Sequence, residues 1–222
     1  MAHHSILPSQ DLHSAALDNN TELLSVLLAV PGVDVNLQDN LGRTPLMVAC
    51  REGQVECVQR LVEVEGLDVN RRDVVGWTAL HLAVIRNHPL CVEALSSVET
   101  LDWVMTDRGG QSPLSIAAHL GHADCLELIL SVSGERLHGE GEEPVWLAVE
   151  NTSRGDPVRC LELLSQDTRL EWNARDRAGD TPLMFCVKNN KMEMAKVLLN
   201  SPSVNPHIPD RDGKFIENIA RS

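Results

Sequence analysis

The cysteines are the side chains of this sequence best suited to metal ligation or nucleophilic chemistry. Four of the six recur at intervals of 34 or 35 residues rather than in clusters: Cys57, Cys91, Cys125 and Cys160. A zinc site needs closely spaced ligands such as C-x₂-C. The equivalent position holds Leu23 and Met194 elsewhere in the chain, and exchange of Cys with Leu and Met is typical of a buried apolar site. We therefore predict reduced, buried thiols, no metal site and no cofactor.

The histidines lack the neighbours that catalysis requires. His81 and His13 occupy matching positions in short helical segments, and neither a Gly-x-Ser-x-Gly motif nor a Cys/His signature accompanies them. Neither phosphate-binding pattern, G-x-x-x-x-G-K-[ST] or G-x-G-x-x-G, occurs. The carboxylates are scattered along the chain, as expected of a solvated surface. We predict that the protein is not an enzyme.

The net charge narrows the classes of molecule that the protein is expected to bind. With 19 basic and 32 acidic residues the chain carries a formal charge of −13, which opposes binding to nucleic acid and favours a basic protein partner. No apolar run approaches the roughly 20 residues of a membrane span, and the first ten residues lack the apolar core of a secretory signal. We expect a monomeric, cytoplasmic or nuclear protein that binds neither nucleic acid nor membrane.

An internal repeat defines the elements that position these residues. Gly42, Gly76 and Gly110 are spaced by 34 residues, and a Thr or Ser follows each two residues later. A small-residue segment comes next, as in "PLMVAC" at 45–50, and then a Leu-rich segment, as in "VECVQRLV" at 55–62. Apolar residues spaced by three and four predict two helices per repeat. A helix pair buries its faces only against neighbouring pairs, so the pattern predicts an all-α solenoid.

The segments "DVVGWTALHLA" at 73–83 and "DRAGDTPLMFC" at 176–186 resemble the ankyrin-repeat family, whose signature is T-P-L-H-x-A after an Asp-x-x-Gly turn. The resemblance covers nearly the whole chain and implies antiparallel helix pairs with a projecting hairpin loop per repeat and a concave face. We predict a single ankyrin-repeat domain over 1–222. Its repeats are about 5–38, 39–72, 73–106, 107–135, 136–175 and 176–209, with a partial cap at 210–222.

The fifth repeat departs from the pattern. Its turn sequence, "RLHGEGEEPVWLA" at 136–148, lacks Asp-x-x-Gly, and "NTSRGDP" at 151–157 lengthens the loop between its helices by four residues. We expect a malformed hairpin and an enlarged loop. Such a loop can carry function, although insertions are also tolerated at loops, and we favour the second interpretation.

The hairpins of repeats two to four carry the residues of interest. In the ankyrin family the variable hairpin positions and the end of each first helix face the concave groove. Here those positions combine apolar, aromatic and basic side chains, the composition of a protein-binding hot spot. The predicted partner-binding residues are Leu41, Arg43, Val74, Val75, Trp77, Ile85, Arg86, Arg108 and His119. Alternatively, Trp77 lies over the neighbouring hairpin, stacked on Arg108.

These patterns predict a non-enzymatic scaffold that binds a peptide or protein on its concave hairpin and helix face. The alternative is a regulatory or substrate-recruiting ankyrin domain of a larger enzyme or adaptor, such as a ubiquitin-ligase subunit or signalling protein. The family resemblance also marks Asn36, in "LAVPGVDVN" at 28–36, as a possible hydroxylation site. Against this, such an Asn commonly hydrogen-bonds the turn backbone without modification.

Overall fold

The computed structural model of the protein describes residues 8–132, 144–151, 155–167 and 170–216. Within these ranges it contains twelve α-helices and no β-strand, which confirms the all-α fold class. The helices are α1 (Pro8–Leu17), α2 (Thr21–Leu28), α3 (Pro45–Glu52), α4 (Val55–Val62), α5 (Ala79–Ile85), α6 (Pro89–Leu95), α7 (Pro113–Leu120), α8 (Ala123–Val132), α9 (Pro144–Glu150), α10 (Pro157–Leu164), α11 (Pro182–Lys188) and α12 (Met192–Asn200).

The chain divides into two compact units. The first comprises Met1–Ile116 and Leu128–Glu140, and the second Ala117–Glu127 and Gly141–Ser222. In the first unit α3 packs between α1 and α5, and α4 between α2 and α6, which gives an inner and an outer layer of helices. In the second unit α9 packs on α10 and α11, and α12 on α10 and α11. The single domain and the repeat boundaries given above stay predictions.

A threonine directly before the helix explains where the first helix of a repeat begins. Thr44, Thr78 and Thr181 have extended backbones, and the side-chain oxygen of each accepts a hydrogen bond from the backbone N–H three residues later. This bond satisfies a donor that the helix itself leaves free. Proline follows at the first helical position of α3 and α11, where its missing N–H costs nothing.

The core of the described residues is built mainly from aliphatic side chains. Leu46, Leu80 and Leu114 are at most 1% exposed, and the alanines three residues after them are fully buried. All six cysteines are free and buried, which confirms the predicted burial of the four that recur from repeat to repeat. Burial raises the pKa of Cys91 to about 11 and that of Cys160 to about 12, so these thiols stay protonated and unreactive.

The fifth repeat is described only in part. Its predicted malformed hairpin falls largely at 133–143, outside the described residues, as do 152–154 of the enlarged loop. The end of that loop is tied to the preceding helix: the N–H of Asp156 donates to the carbonyl of Gly121 at 2.8 Å. Arg159 then pairs with Asp124 and Glu127, both at 2.6 Å.

Lys191, directly before α12, contacts the C-terminal end of α9. The Nζ of Lys191 donates to the carbonyls of Val149 and Asn151, the second at 3.0 Å, and lies 5.4 Å from the centre of the Phe185 ring. Phe185 in turn makes an edge-to-face contact with Trp146, with ring centres 5.6 Å apart. A cation is favoured at the C-terminal end of α9, where free carbonyls gather.

Candidate protein-binding surface

An aspartate builds each hairpin of the first unit. Oδ1 of Asp39 accepts hydrogen bonds from the N–H groups of Leu41 and Arg43, at 2.8 and 2.9 Å. Asp73 does the same for Val75 and Trp77, both at 2.9 Å. The Asp107 hairpin repeats this pattern at 2.7 and 3.0 Å. A carboxylate with two backbone donors fixes the turn, so the variable residues between are held in one conformation.

Successive hairpins are also bonded to one another. The N–H of Val74 donates to the carbonyl of Leu41 at 3.1 Å, and the N–H of Arg108 donates to the carbonyl of Val75 at 3.2 Å. Gly76 lies between them with φ +89°, and a Cβ there would come within 2.9 Å of the Arg108 nitrogen. Only glycine fits this left-handed, close-packed position. The three hairpins therefore form a backbone-locked row.

Apolar side chains line this row and remain open to solvent. Leu41 is 51% exposed, Val74 49% and Val75 44%. Ile85, at the end of α5, is half-buried. We name the row of Leu41, Val74 and Val75, with Trp77 beside it, the hairpin surface. These are the residues that the repeat register placed at the variable hairpin positions.

Trp77 is half-buried and lies over the neighbouring hairpin. Its indole N–H donates to Oδ2 of Asp107 at 3.1 Å. Burial by itself raises the pKa of Asp107, but hydrogen bonds from the N–H of Gln111, the Trp77 indole and the N–H of Gly109 lower it below 3.8. The cation–π contact found among the described residues joins Lys191 and Phe185, not Arg108 and Trp77. Trp77 therefore positions the next hairpin through Asp107, and its half-buried side chain lies beside the hairpin surface.

The basic residues of the predicted site divide into two kinds. Arg43 is occupied by its own hairpin, because its Nη2 lies 2.7 Å from Oδ2 of Asp39 and its side chain is only 19% exposed. Arg86, just after α5, and Arg108, in the next hairpin, are both exposed. A cation that is already paired gains less from a partner carboxylate, so Arg86 and Arg108 are the available charges.

His119 falls in the second unit, at the exposed end of α7. The hairpins that carry the other predicted residues belong to the first unit. Leu41, Val74, Val75 and Trp77 therefore lie in one row of the first unit, where Arg43 pairs with Asp39 of its own hairpin. His119 belongs to the other unit.

His81 is a structural group behind the hairpins. The N–H of Thr78 donates to Nδ1 of His81 at 3.2 Å, so Nε2 carries the proton that is shared with the carbonyl of Gln111 at 3.2 Å. Burial lowers the pKa of His81 below 6.5. The neutral ring thus links one repeat to the next hairpin.

Asn36 and Asn70 form a ladder along the turns that join the repeats. Nδ2 of Asn36 donates to the carbonyl of Gly66 and its Oδ1 accepts from the N–H of Asp68, both at 2.8 Å. Asn70 repeats the arrangement with Thr100 at 2.7 Å and Asp102 at 2.9 Å. The local sequence predicted turn bonding, but the partners lie in the following repeat, about 30 residues away.

The described residues contain no group of three or more His, Cys, Asp or Glu that could hold a metal ion. None of their helices combines the length and the apolar character that crossing a membrane requires.

Capped helix pairs joined by bonded hairpins are the features to compare with known proteins. Sequence models of ankyrin repeats match residues 12–102 (three copies), 109–135 (a single repeat) and 146–199 (many copies). The chain belongs to the ankyrin-repeat family. Domains of this family generally act as non-catalytic modules for binding other proteins.

Individual relatives add detail. The ankyrin repeat domain of Bcl-3, described as a unique member of the IkappaB protein family, matches with a TM-score of 0.80 and 25% identity, covering 95% of this chain and 93% of that one. The human ASB11 ankyrin repeat domain matches with a TM-score of 0.70 and 26% identity, covering 94% and 90%. The human SMC5-SMC6 complex localization factor protein 1 is 50% identical over 42 residues, which are 19% of this chain and 4% of that relative.

Proposed function

We propose that the protein is a non-enzymatic recognition domain that binds a peptide or folded protein on the hairpin surface. The observation that carries the proposal is the exposure of Leu41, Val74 and Val75 on hairpins whose backbones are bonded to each other. Apolar side chains on a fixed backbone bury area on binding at little cost in conformational entropy. Half-buried Ile85 ends α5, the helix that follows the Trp77 hairpin, and Trp77 is an aromatic residue of the kind enriched in hot spots.

The net charge and the two exposed arginines act at different stages of binding. The net charge of −13 speeds the approach of a basic protein over long range. Within the contact, exposed Arg86 and Arg108 are suited to carboxylates or carbonyls of the bound segment. We propose a basic protein partner that presents apolar residues to the hairpins and acceptors to the two arginines, and a monomeric binding domain.

The test compares proteins captured from a cell extract by the tagged chain and by a Leu41→Asp/Val74→Asp double variant. Both positions are about half exposed, so the variant is expected to fold, as circular dichroism would verify. Leu199→Asp is the matched control, because Leu199 is 54% exposed on α12 of the second unit. We expect the control to keep the partners and the double variant to lose them. Equal capture by all three proteins would place binding elsewhere.

A second candidate is a recruiting or regulatory module of a larger adaptor or enzyme, in the cytoplasm or nucleus. The identity of 50% over 42 residues to a protein named as a complex localization factor favours it, as does the likeness to ASB11. Co-precipitation of the SMC5-SMC6 complex with the tagged chain, together with imaging of a fluorescent fusion, tests this candidate. Diffuse fluorescence and no co-precipitation would remove it.

Hydroxylation of Asn36 is a separate proposal. An enzyme acting there would have to break the hydrogen bonds of the Asn36 amide to Gly66 and Asp68. Peptide mass analysis of protein purified from animal cells tests it, and the absence of an added oxygen atom at Asn36 would count against it.

A further inference from the structure

The outer layer of the first unit departs from the repeat pattern at Leu90. The residue directly before the equivalent positions Leu23, Cys57, Cys91, Cys125, Cys160 and Met194 is charged in five of six cases, and the exception is a leucine: Glu22, Glu56, Leu90, Asp124, Arg159 and Glu193. Four of the charged residues have polar partners, since Glu56 accepts from Asn19, Asp124 and Arg159 pair with each other and Glu193 pairs with Lys196. Leu90 replaces a solvated charge with an apolar side chain that is 60% exposed.

Leu90 borders a groove of about 650 Å³ between α4 and α6, entirely within the first unit. Both walls follow helical spacing of three and four residues. One wall is Val55, Gln59, Val62 and Glu63, and the other is Leu90, Glu93, Ala94 and Ser97. The volume is within the range of pockets that bind ligands in proteins, roughly 300–1,000 Å³. The apolar residues of both walls, which include Val62 and Leu90, form the apolar floor of the groove, and a partner side chain can cover it.

The charge of this groove has one sign. Its lining includes two carboxylates, Glu63 and Glu93, and neither Lys nor Arg. Within the described part of the chain neither carboxylate takes part in an ion pair or side-chain hydrogen bond. An apolar floor beside two unpaired carboxylates is complementary to an apolar side chain flanked by cations.

We propose that the groove between α4 and α6 binds an α-helical segment of a partner protein that presents an apolar residue between lysines or arginines. Two adjacent helices leave a groove between them into which the side-chain ridge of a third helix packs. Helix α4, with eight residues, is about 12 Å long, so the groove accommodates roughly two turns of the bound helix. The apolar residue covers Leu90 and Val62. The basic side chains lay their aliphatic stems along the walls and reach Glu63 and Glu93 with their charged ends. This outer surface is distinct from the hairpin surface.

Binding of a defined probe tests the proposal. The probe is a fluorescein-labelled, alanine-based peptide of about 18 residues, long enough to form a helix, with leucines every fourth residue and lysines beside them. We expect binding by the wild-type chain in fluorescence anisotropy. A peptide with glutamates in place of the lysines is expected to bind at least about tenfold more weakly, because like charges repel at the groove.

Four variants locate the site. Leu90→Ser should weaken binding by about tenfold through lost apolar burial. Glu63→Gln/Glu93→Gln should weaken it several-fold and flatten its salt dependence. Val26→Ser, at an equally apolar and 66% exposed position on α2, should bind as the wild type does. Val74→Asp should also keep binding, so that failure of the groove is distinguished from failure of the hairpin surface.

The proposal is overturned if the wild-type chain does not bind the lysine peptide, or if Leu90→Ser binds it as tightly as Val26→Ser does. Equal binding by all variants would show only attraction to an acidic chain.

Discussion

Replacing Gly76 with alanine tests whether neighbouring hairpins are locked to one another. Gly76 has φ +89°, and the new Cβ would approach the Arg108 nitrogen to 2.9 Å and Arg108 Cγ to 3.2 Å. Placing alanine in the left-handed region costs about 1–2 kcal/mol. Relief of the overlap moves the hairpins apart and loses the bond from Arg108 N–H to the Val75 carbonyl, for about another 1 kcal/mol. The expected total is about 2–3 kcal/mol.

Gly66→Ala is the matched control. Gly66 has φ +80°, and no described atom beyond its chain neighbours lies within 4 Å of the Cβ position. It should therefore cost only the conformational part, about 1–2 kcal/mol. Urea unfolding followed by tryptophan fluorescence and circular dichroism measures both variants. If Gly76→Ala costs no more than Gly66→Ala, the hairpins are not held together in the way that the backbone bonds indicate.

Three further predictions concern groups buried in the repeats. Because the pKa of His81 is lowered in the folded protein, the unfolded chain takes up a proton first as the pH falls below about 6.5. The stability that the neutral ring contributes is therefore present above that pH and is lost as the pH falls toward the folded-state pKa. In the His81→Gln variant the urea midpoint should fall less steeply with decreasing pH than in the wild type. The six buried thiols should react slowly with a thiol reagent in the folded protein and fully in urea; rapid labelling of the folded chain would contradict their burial. Lys191→Ala should lower the free energy of unfolding by about 1.5–3 kcal/mol, because charged hydrogen bonds to two carbonyls are lost, whereas Lys196→Ala, in an exposed pair, should cost less than about 1 kcal/mol; similar losses would refute the role of Lys191.

The repeat in the sequence was enough to predict the fold. A 34-residue period fixes which positions are equivalent, and each column then has one environment. The Thr of T-P-L-H was therefore expected before a helix, and Cys57 was expected in the core because Leu and Met share its column. Both predictions were confirmed, because they depend on contacts within a repeat or between equivalent neighbours.

The side-chain pairing at the candidate site was less predictable. The repeat register placed Leu41, Val74 and Val75 at the hairpins, but the pairing of Arg43 with Asp39 and of Trp77 with Asp107 depends on rotamers and on the spacing of adjacent hairpins. Periodicity carries no information on either. The signal for the outer groove was present in the sequence as the leucine at 90 in an otherwise charged column. Its meaning required the exposure of Leu90 and the unpaired carboxylates.

Site-specific photocrosslinking tests partner binding at the hairpin surface most directly. A benzophenone amino acid at Val74 is compared with the same residue at Leu199, two positions that are 49% and 54% exposed. Irradiation in cells should link a defined protein at position 74 and not at 199, and the Leu41→Asp substitution should abolish the crosslink. A partner that crosslinks at 199 but not at 74 would show that the hairpin surface is not the binding site.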